Sequence, residues 1–140
     1  KVFGIKAGTS DVTRGELSHE GYREVARELV KRFGFEKVAI TLRESLSASD
    51  NNWSGMLYDG AEFYLSRKYN VHIVDRVGGG DSFAGALVYA LLEGMSGRQA
   101  VEFAAAASCL KHSIIGDFNM VGVSEVRTLA GGDASGRVQR

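Results

Sequence analysis

Three consecutive glycines and a carboxylate, set between a strand-like run and a helix-like one, constrain this chain more than any other stretch. Tyr69-Asn70-Val71-His72-Ile73-Val74 alternates apolar and polar residues and is rich in β-branched side chains, which predicts a strand. Ser82 to Leu92 is apolar almost all round, which predicts a buried helix. Between them stands Asp75-Arg76-Val77-Gly78-Gly79-Gly80-Asp81. Glycine lets another molecule approach the main chain closely. The amides that open a helix have no partner inside it, and the helix dipole adds partial positive charge there. A glycine turn feeding a helix start is therefore a site for an anion, lined by Gly78, Gly79 and Gly80.

Asp81 has two readings. It caps the helix, a common use of Asp, or it accepts a hydroxyl proton while the neighbouring amides take up developing phosphate charge. Spacing excludes two familiar nucleotide loops. No Lys-Ser/Thr pair follows the last glycine, and Phe83 stands where a dinucleotide fingerprint needs its third glycine.

The chain has 140 residues, enough for one domain with a real core. Its formal net charge is zero, which gives no pull towards nucleic acid or an anionic membrane surface. No apolar run approaches the roughly 20 residues that span a bilayer. Cys109 stands alone, so no intramolecular disulfide can form and a cytoplasmic setting is expected.

Upstream, Ser18 is placed to cap a helix with an apolar stripe of Tyr22, Val25, Ala26, Leu29, Val30 and Phe33, stopped by Gly34. Lys37 to Leu42 is nearly continuous in apolar residues and predicts a buried parallel strand, so the pattern is α/β. Ligands of open α/β sheets sit beyond the carboxyl ends of strands, where Arg43 and Ser45 fall. Arg43 is either a phosphate ligand or a solvated charge on a turn. Leu46 to Asn52 reads as polar loop. Trp53 to Tyr58 and Ala61 to Leu65 flank Asp59-Gly60, which predicts a type I′ hairpin near the sheet edge. Downstream, Ser96 and Gln99 form a capping box before an alanine-rich helix. Ser124 is placed to cap a last short helix, and Gly131 to Arg140 reads as a tail.

The stretch Asp75-Arg76-Val77-Gly78-Gly79-Gly80-Asp81-Ser82-Phe83 resembles the C-terminal signature of the ribokinase-like (PfkB-type) carbohydrate kinases. That signature usually reads Asp-Thr-Thr/Val-Gly-Ala-Gly-Asp-x-Phe; Arg76 and Gly79 depart from the commonest form. Ser49-Asp50-Asn51-Asn52-Trp53-Ser54 and Gly116-Asp117-Phe118-Asn119 are similar to the 2-keto-3-deoxygluconate kinases within the family. The resemblance implies the C-terminal portion of a ribokinase-like three-layer αβα sheet, with residues 1–130 as its nucleotide-binding part. The remainder of such a kinase carries most sugar contacts and a β lid that often mediates dimers, so this portion is expected to be inactive alone.

The activity implied is ATP-dependent phosphorylation of the 6-hydroxyl of 2-keto-3-deoxygluconate. Asp81 would be the base, Gly78 to Gly80 the anion hole, and Mg²⁺ would neutralise the remaining charge. Asp117 would hold a sugar hydroxyl, against the alternative of a plain turn residue. Ala105 and Ser108 would lie near the adenine, against the alternative of close helix packing. A monovalent cation, K⁺, would sit near Asp75 and Val77. A fructokinase or ribokinase of the same family is the nearest alternative, and a nucleotide-binding module without catalysis is the alternative from another class.

Overall fold

The computed structural model describes Ile5 and residues 19–131. The expected cap Ser18 and the stretch 132–140 lie outside them. The elements are α1 (His19–Phe33), β1 (Val38–Ser45), β2 (Asp50–Tyr58), β3 (Phe63–Leu65), β4 (Tyr69–His72), α2 (Gly79–Leu92), α3 (Gly97–Lys111) and α4 (Val123–Gly131). Gly131, expected in the tail, closes α4.

β2 is the centre of the sheet. Along one edge it pairs with the whole of β1, from Val38 opposite Tyr58 to Ser45 opposite Asn51. The other edge is shared: Met56 to Tyr58 face β3, and Asp50 to Trp53 face β4. Three residues separate Leu65 from Tyr69 where only two separate Trp53 from Met56, so the outer strand carries an extra residue, a bulge. Ser66 fills the break, its N–H donating to the Gly55 carbonyl and its Oγ accepting from the Gly55 N–H, both at 2.9 Å.

Every pairing among the described residues is antiparallel, which corrects the expectation of a buried parallel strand at Lys37–Leu42. Only Val38 and Leu42 of β1 are buried. The chain turns back at once through residues 46–49, where the Leu46 and Ser47 amides both donate to the Asp50 carbonyl, so β2 begins within the stretch expected to be loop. The Asp59-Gly60 turn is also not type I′. Gly60 has φ +91° but no other residue type among the described residues has positive φ, whereas type I′ needs it at both central positions. Asp59 Oδ1 instead accepts the Ala61 and Glu62 amides.

The two faces of the sheet carry separate cores. Alternation sends Val38, Leu42 and Met56 towards α1, where they meet Ala26, with Tyr22, Leu29 and Val30 packed around them. Trp53, Leu57, Tyr69 and Val71 face the opposite way, onto Phe83 and Leu87 of α2 and the alanine-rich length of α3. The result is helix, sheet and helices in three layers. α2 buries only Gly79, Phe83, Leu87 and Ala90, while Val88 and Leu92 stay exposed among the described residues, so the all-round burial expected of it is not seen.

Candidate active site

The three glycines expected to line an anion site lie where β4 hands over to α2. Helical backbone starts at Gly79, three residues before the expected Ser82, so Gly79, Gly80 and Asp81 form the first turn of α2. Gly78 is the N-cap residue in the left-handed region, φ +77°, with no side-chain cap bond. Asp81 therefore does not cap the helix; it stands exposed in the first turn. Among the described residues no acceptor meets the amides of Gly80 and Asp81, while the Ser82 amide donates to the Gly78 carbonyl at 2.8 Å. Two open amides beside an exposed carboxylate face the same space as the positive end of the helix dipole.

The three glycines have different surroundings. A side chain at Gly78 would overlap the Asp117 carbonyl, and one at Gly79 would come within 2.8 Å of His112 Cε1. At Gly80 nothing of the protein lies within 4 Å of that position. The fold thus packs the first two and leaves the third open to an incoming molecule.

A second layer fixes this turn. Asp75 joins two loops, Oδ1 accepting from the Val77 N–H at 3.0 Å and Oδ2 from the Gly116 N–H at 2.9 Å. Those two amides hold the Asp75 carboxyl below its ordinary range, with a further contribution from the Lys111 ammonium. The Val74 and Asp75 amides donate to the His112 carbonyl. The Ser108 hydroxyl donates to the Gly79 carbonyl at 2.6 Å, and Asn119 Nδ2 reaches both Ser82 Oγ, at 2.6 Å, and the Ala107 carbonyl. His112 lies beneath, its Nδ1 2.6 Å from the Ser108 carbonyl and its ring 4.7 Å from that of Trp53. A carbonyl only accepts, so Nδ1 carries the proton. Burial pushes the His112 imidazole below its ordinary range and keeps it neutral.

The structure brings Asp75, Val77, Gly78, Gly79, Gly80, Asp81 and the Asp117 backbone to one place. Arg43 and Ser45 lie within β1, not in a loop beyond it, and both are exposed. Their partners Trp53 and Asn51 share their face of the sheet, the face that carries α2 and α3. Arg43 is near enough to His112 to disfavour its protonated form. Ala105 and Ser108 are fully buried, and the Ser108 hydroxyl is engaged with Gly79, so close packing accounts for both and neither offers a surface to a base. Trp53 is likewise core. Burial raises the Cys109 thiol to about 12, which leaves it inert.

Sequence reasoning missed His112, Asn119 and Lys111. The only signal was their place, at the end of the alanine-rich helix and in the turn after it that also carries Asp117. Among the described residues there is no group of three or more His, Cys, Asp or Glu suited to hold a metal ion, and no helix is long and apolar enough to cross a membrane.

Comparisons with known proteins give the family and the fold. Residues 11–117 match the model of the pfkB family carbohydrate kinases. A curated relative, 2-dehydro-3-deoxygalactonokinase of Haloferax volcanii, is 33% identical over 111 residues, covering 79% of this chain and 32% of its own length. The solved 2-dehydro-3-deoxygluconokinase of Thermotoga maritima is 47% identical with a TM-score of 0.85, over 94% of this chain and 38% of that one. Phosphofructokinase-2 of Escherichia coli, solved in complex with potassium, has a TM-score of 0.65 at 21% identity, over 86% of this chain and 36% of its own, and shares the fold alone. The chain thus spans about a third of the length of such relatives.

Proposed function

Because this chain belongs to the pfkB family of carbohydrate kinases, we propose that it supplies the phosphate-binding turn and catalytic base of a kinase acting on a 2-keto-3-deoxy sugar acid. The observation that carries this reading is the α2 start: open amides at Gly80 and Asp81, free space at Gly80, and an exposed Asp81 carboxylate that caps nothing. Asp81 takes the proton of the acceptor hydroxyl as the amides of Gly78 to Asp81 receive charge from the transferring phosphoryl group. Phosphoryl transfer depends mainly on positioning and electrostatics, so one base and a rigid set of amides suffice on the protein side.

ATP is the donor. Mg²⁺ supplies charge neutralisation, and with no carboxylate cluster among the described residues it would be carried chiefly by the nucleotide phosphates. Arg43 and Ser45, exposed on the face of the sheet that carries α2, are the side chains offered to those phosphates. Asp117, exposed beside Gly78, is offered to a sugar hydroxyl. The names of the Haloferax volcanii and Thermotoga maritima relatives point to 2-keto-3-deoxygluconate or its galactonate epimer, and the higher identity of the Thermotoga maritima enzyme favours the gluconate. The expected K⁺ at Asp75 and Val77 fits less well, since each Asp75 oxygen already accepts an amide and a lysine ammonium is close by.

The test is a coupled ATP-consumption assay on the chain alone and on the chain fused to the N-terminal part of the Thermotoga maritima relative. Turnover dependent on 2-keto-3-deoxygluconate in the fusion is expected, and Asp81→Asn should lower it by about 10²–10⁴-fold, the usual size of a general-base effect, with ATP affinity little changed. Turnover with fructose or ribose alone would replace the substrate but keep the base. ATP binding without transfer to any sugar would leave a nucleotide-binding module.

A further inference from the structure

Lys111 closes α3 and is fully buried; among the described residues no other Lys, Arg, Asp or Glu is. An ammonium withdrawn from water needs oxygen ligands and a counter-charge. Its Nζ donates to the Ile114 carbonyl at 2.9 Å, and the carboxylate it acts on is Asp75. Asp75 is the residue that ties the two loops together, through the Val77 amide on one side and the Gly116 amide on the other. The lysine head is therefore tied to the same 113–117 loop that Asp75 holds through Gly116, the loop whose Asp117 carbonyl lies against Gly78.

Carbonyl and carboxylate oxygens gathered at a loop crossing are the donors that hold a hard monovalent cation. Here the position already has a positive charge attached to the chain. Arg76 and Arg43 also direct positive charge at neighbouring His112, which is itself uncharged. A bound ion would add a second cation beside the Lys111 ammonium, with Asp75 the carboxylate placed between the loops. We propose that the Lys111 ammonium serves as a built-in monovalent cation, fixing Asp75 and the 113–117 loop so that the Gly78–Asp81 turn keeps its shape without bound potassium. Lys111 is thus a positioning residue. Its role in phosphate binding rests on the kinase reading above, whereas its role as a cation does not.

Thermal unfolding of the chain in potassium, ammonium, sodium and choline chlorides at equal ionic strength tests the proposal without any substrate. Wild type should melt at the same temperature in potassium, ammonium and choline. Lys111→Ala leaves a cation-sized space and should recover ~4–6 °C in potassium or ammonium over choline, the shift that about tenfold saturation of one site gives a domain of this size. Lys111→Met fills the space without charge and should show no recovery. A potassium-specific rise in wild type overturns the proposal, and so does an alanine variant indifferent to the cation. If Lys111→Ala does not fold in choline, potassium or ammonium must restore its folding, and failure in every salt also overturns it. None of these outcomes depends on whether the chain phosphorylates a sugar.

Discussion

Gly79 and Gly80 are adjacent, yet they are glycine for opposite reasons. Gly79 has His112 against it, so Gly79→Ala forces ring or helix to shift and should cost on the order of 1–3 kcal/mol, read from the urea midpoint. Gly80 faces open space in a helical turn, so Gly80→Ala should leave stability unchanged or raise it by up to about 1 kcal/mol. On the proposed function its ATP affinity, measured by calorimetry, should fall nonetheless, because the added methyl would fill the open space at Gly80. In sequence the three glycines and Asp81 were legible as a helix start with open amides and a carboxylate beside them, since a helix start, its amides and its dipole are local properties. Their division of labour was not. Gly78 is explained by Asp117 and Gly79 by His112, more than thirty residues away, and no local pattern links them. Ser108 failed for the same reason: its side chain is polar, but its partner is the Gly79 carbonyl rather than a ligand.

At the scale of elements, α3 is the best case. The Ser96–Gln99 box forms as written, Gln99 N–H donating to Ser96 Oγ and Ser96 N–H to Gln99 Oε1, and both ends of the bond lie within four residues. Ser96→Ala should cost about 1 kcal/mol of stability by urea denaturation, with the ATP site unaffected. β1 is the opposite case. Val38, Ile40 and Leu42 alternate with Ala39 and Thr41, and counting Ala39 as apolar turns a one-faced strand into a continuous run. The strand existed where expected, but its antiparallel partner could not be read from its own letters. The last helix shows a smaller slip. It starts at Val123, and Gly122 N–H donates to Glu125 Oε2, so Ser124 lies inside the helix it was expected to cap.

For the whole molecule, the neutral, buried His112 makes stability depend on pH. Its imidazole titrates below the ordinary 6.5, so the unfolded chain takes up a proton that the folded chain refuses. Stability is therefore full above that value and declines as pH falls through the window beneath it. The urea midpoint should drop as pH falls below the ordinary 6.5, and His112→Gln should flatten that part of the profile. Asp75, held low by the Val77 and Gly116 amides, adds its own loss only below the ordinary 3.8, which separates the two effects. The three-layer arrangement and the family were legible from the sequence because helix and strand periods and the glycine signature are short-range. The bare Val88 and Leu92 were not foreseen, since a helix's letters do not say how many neighbours surround it. Between residues 116 and 119 three successive ties reach across to α2 and the turn before it: Gly116 to Asp75, the Asp117 carbonyl against Gly78, and Asn119 to Ser82. Such stitching fixes register. Over evolutionary time this short segment can exchange its exposed letters, as at Ile115 and Phe118, but an insertion or deletion within it would move every later tie off its mark.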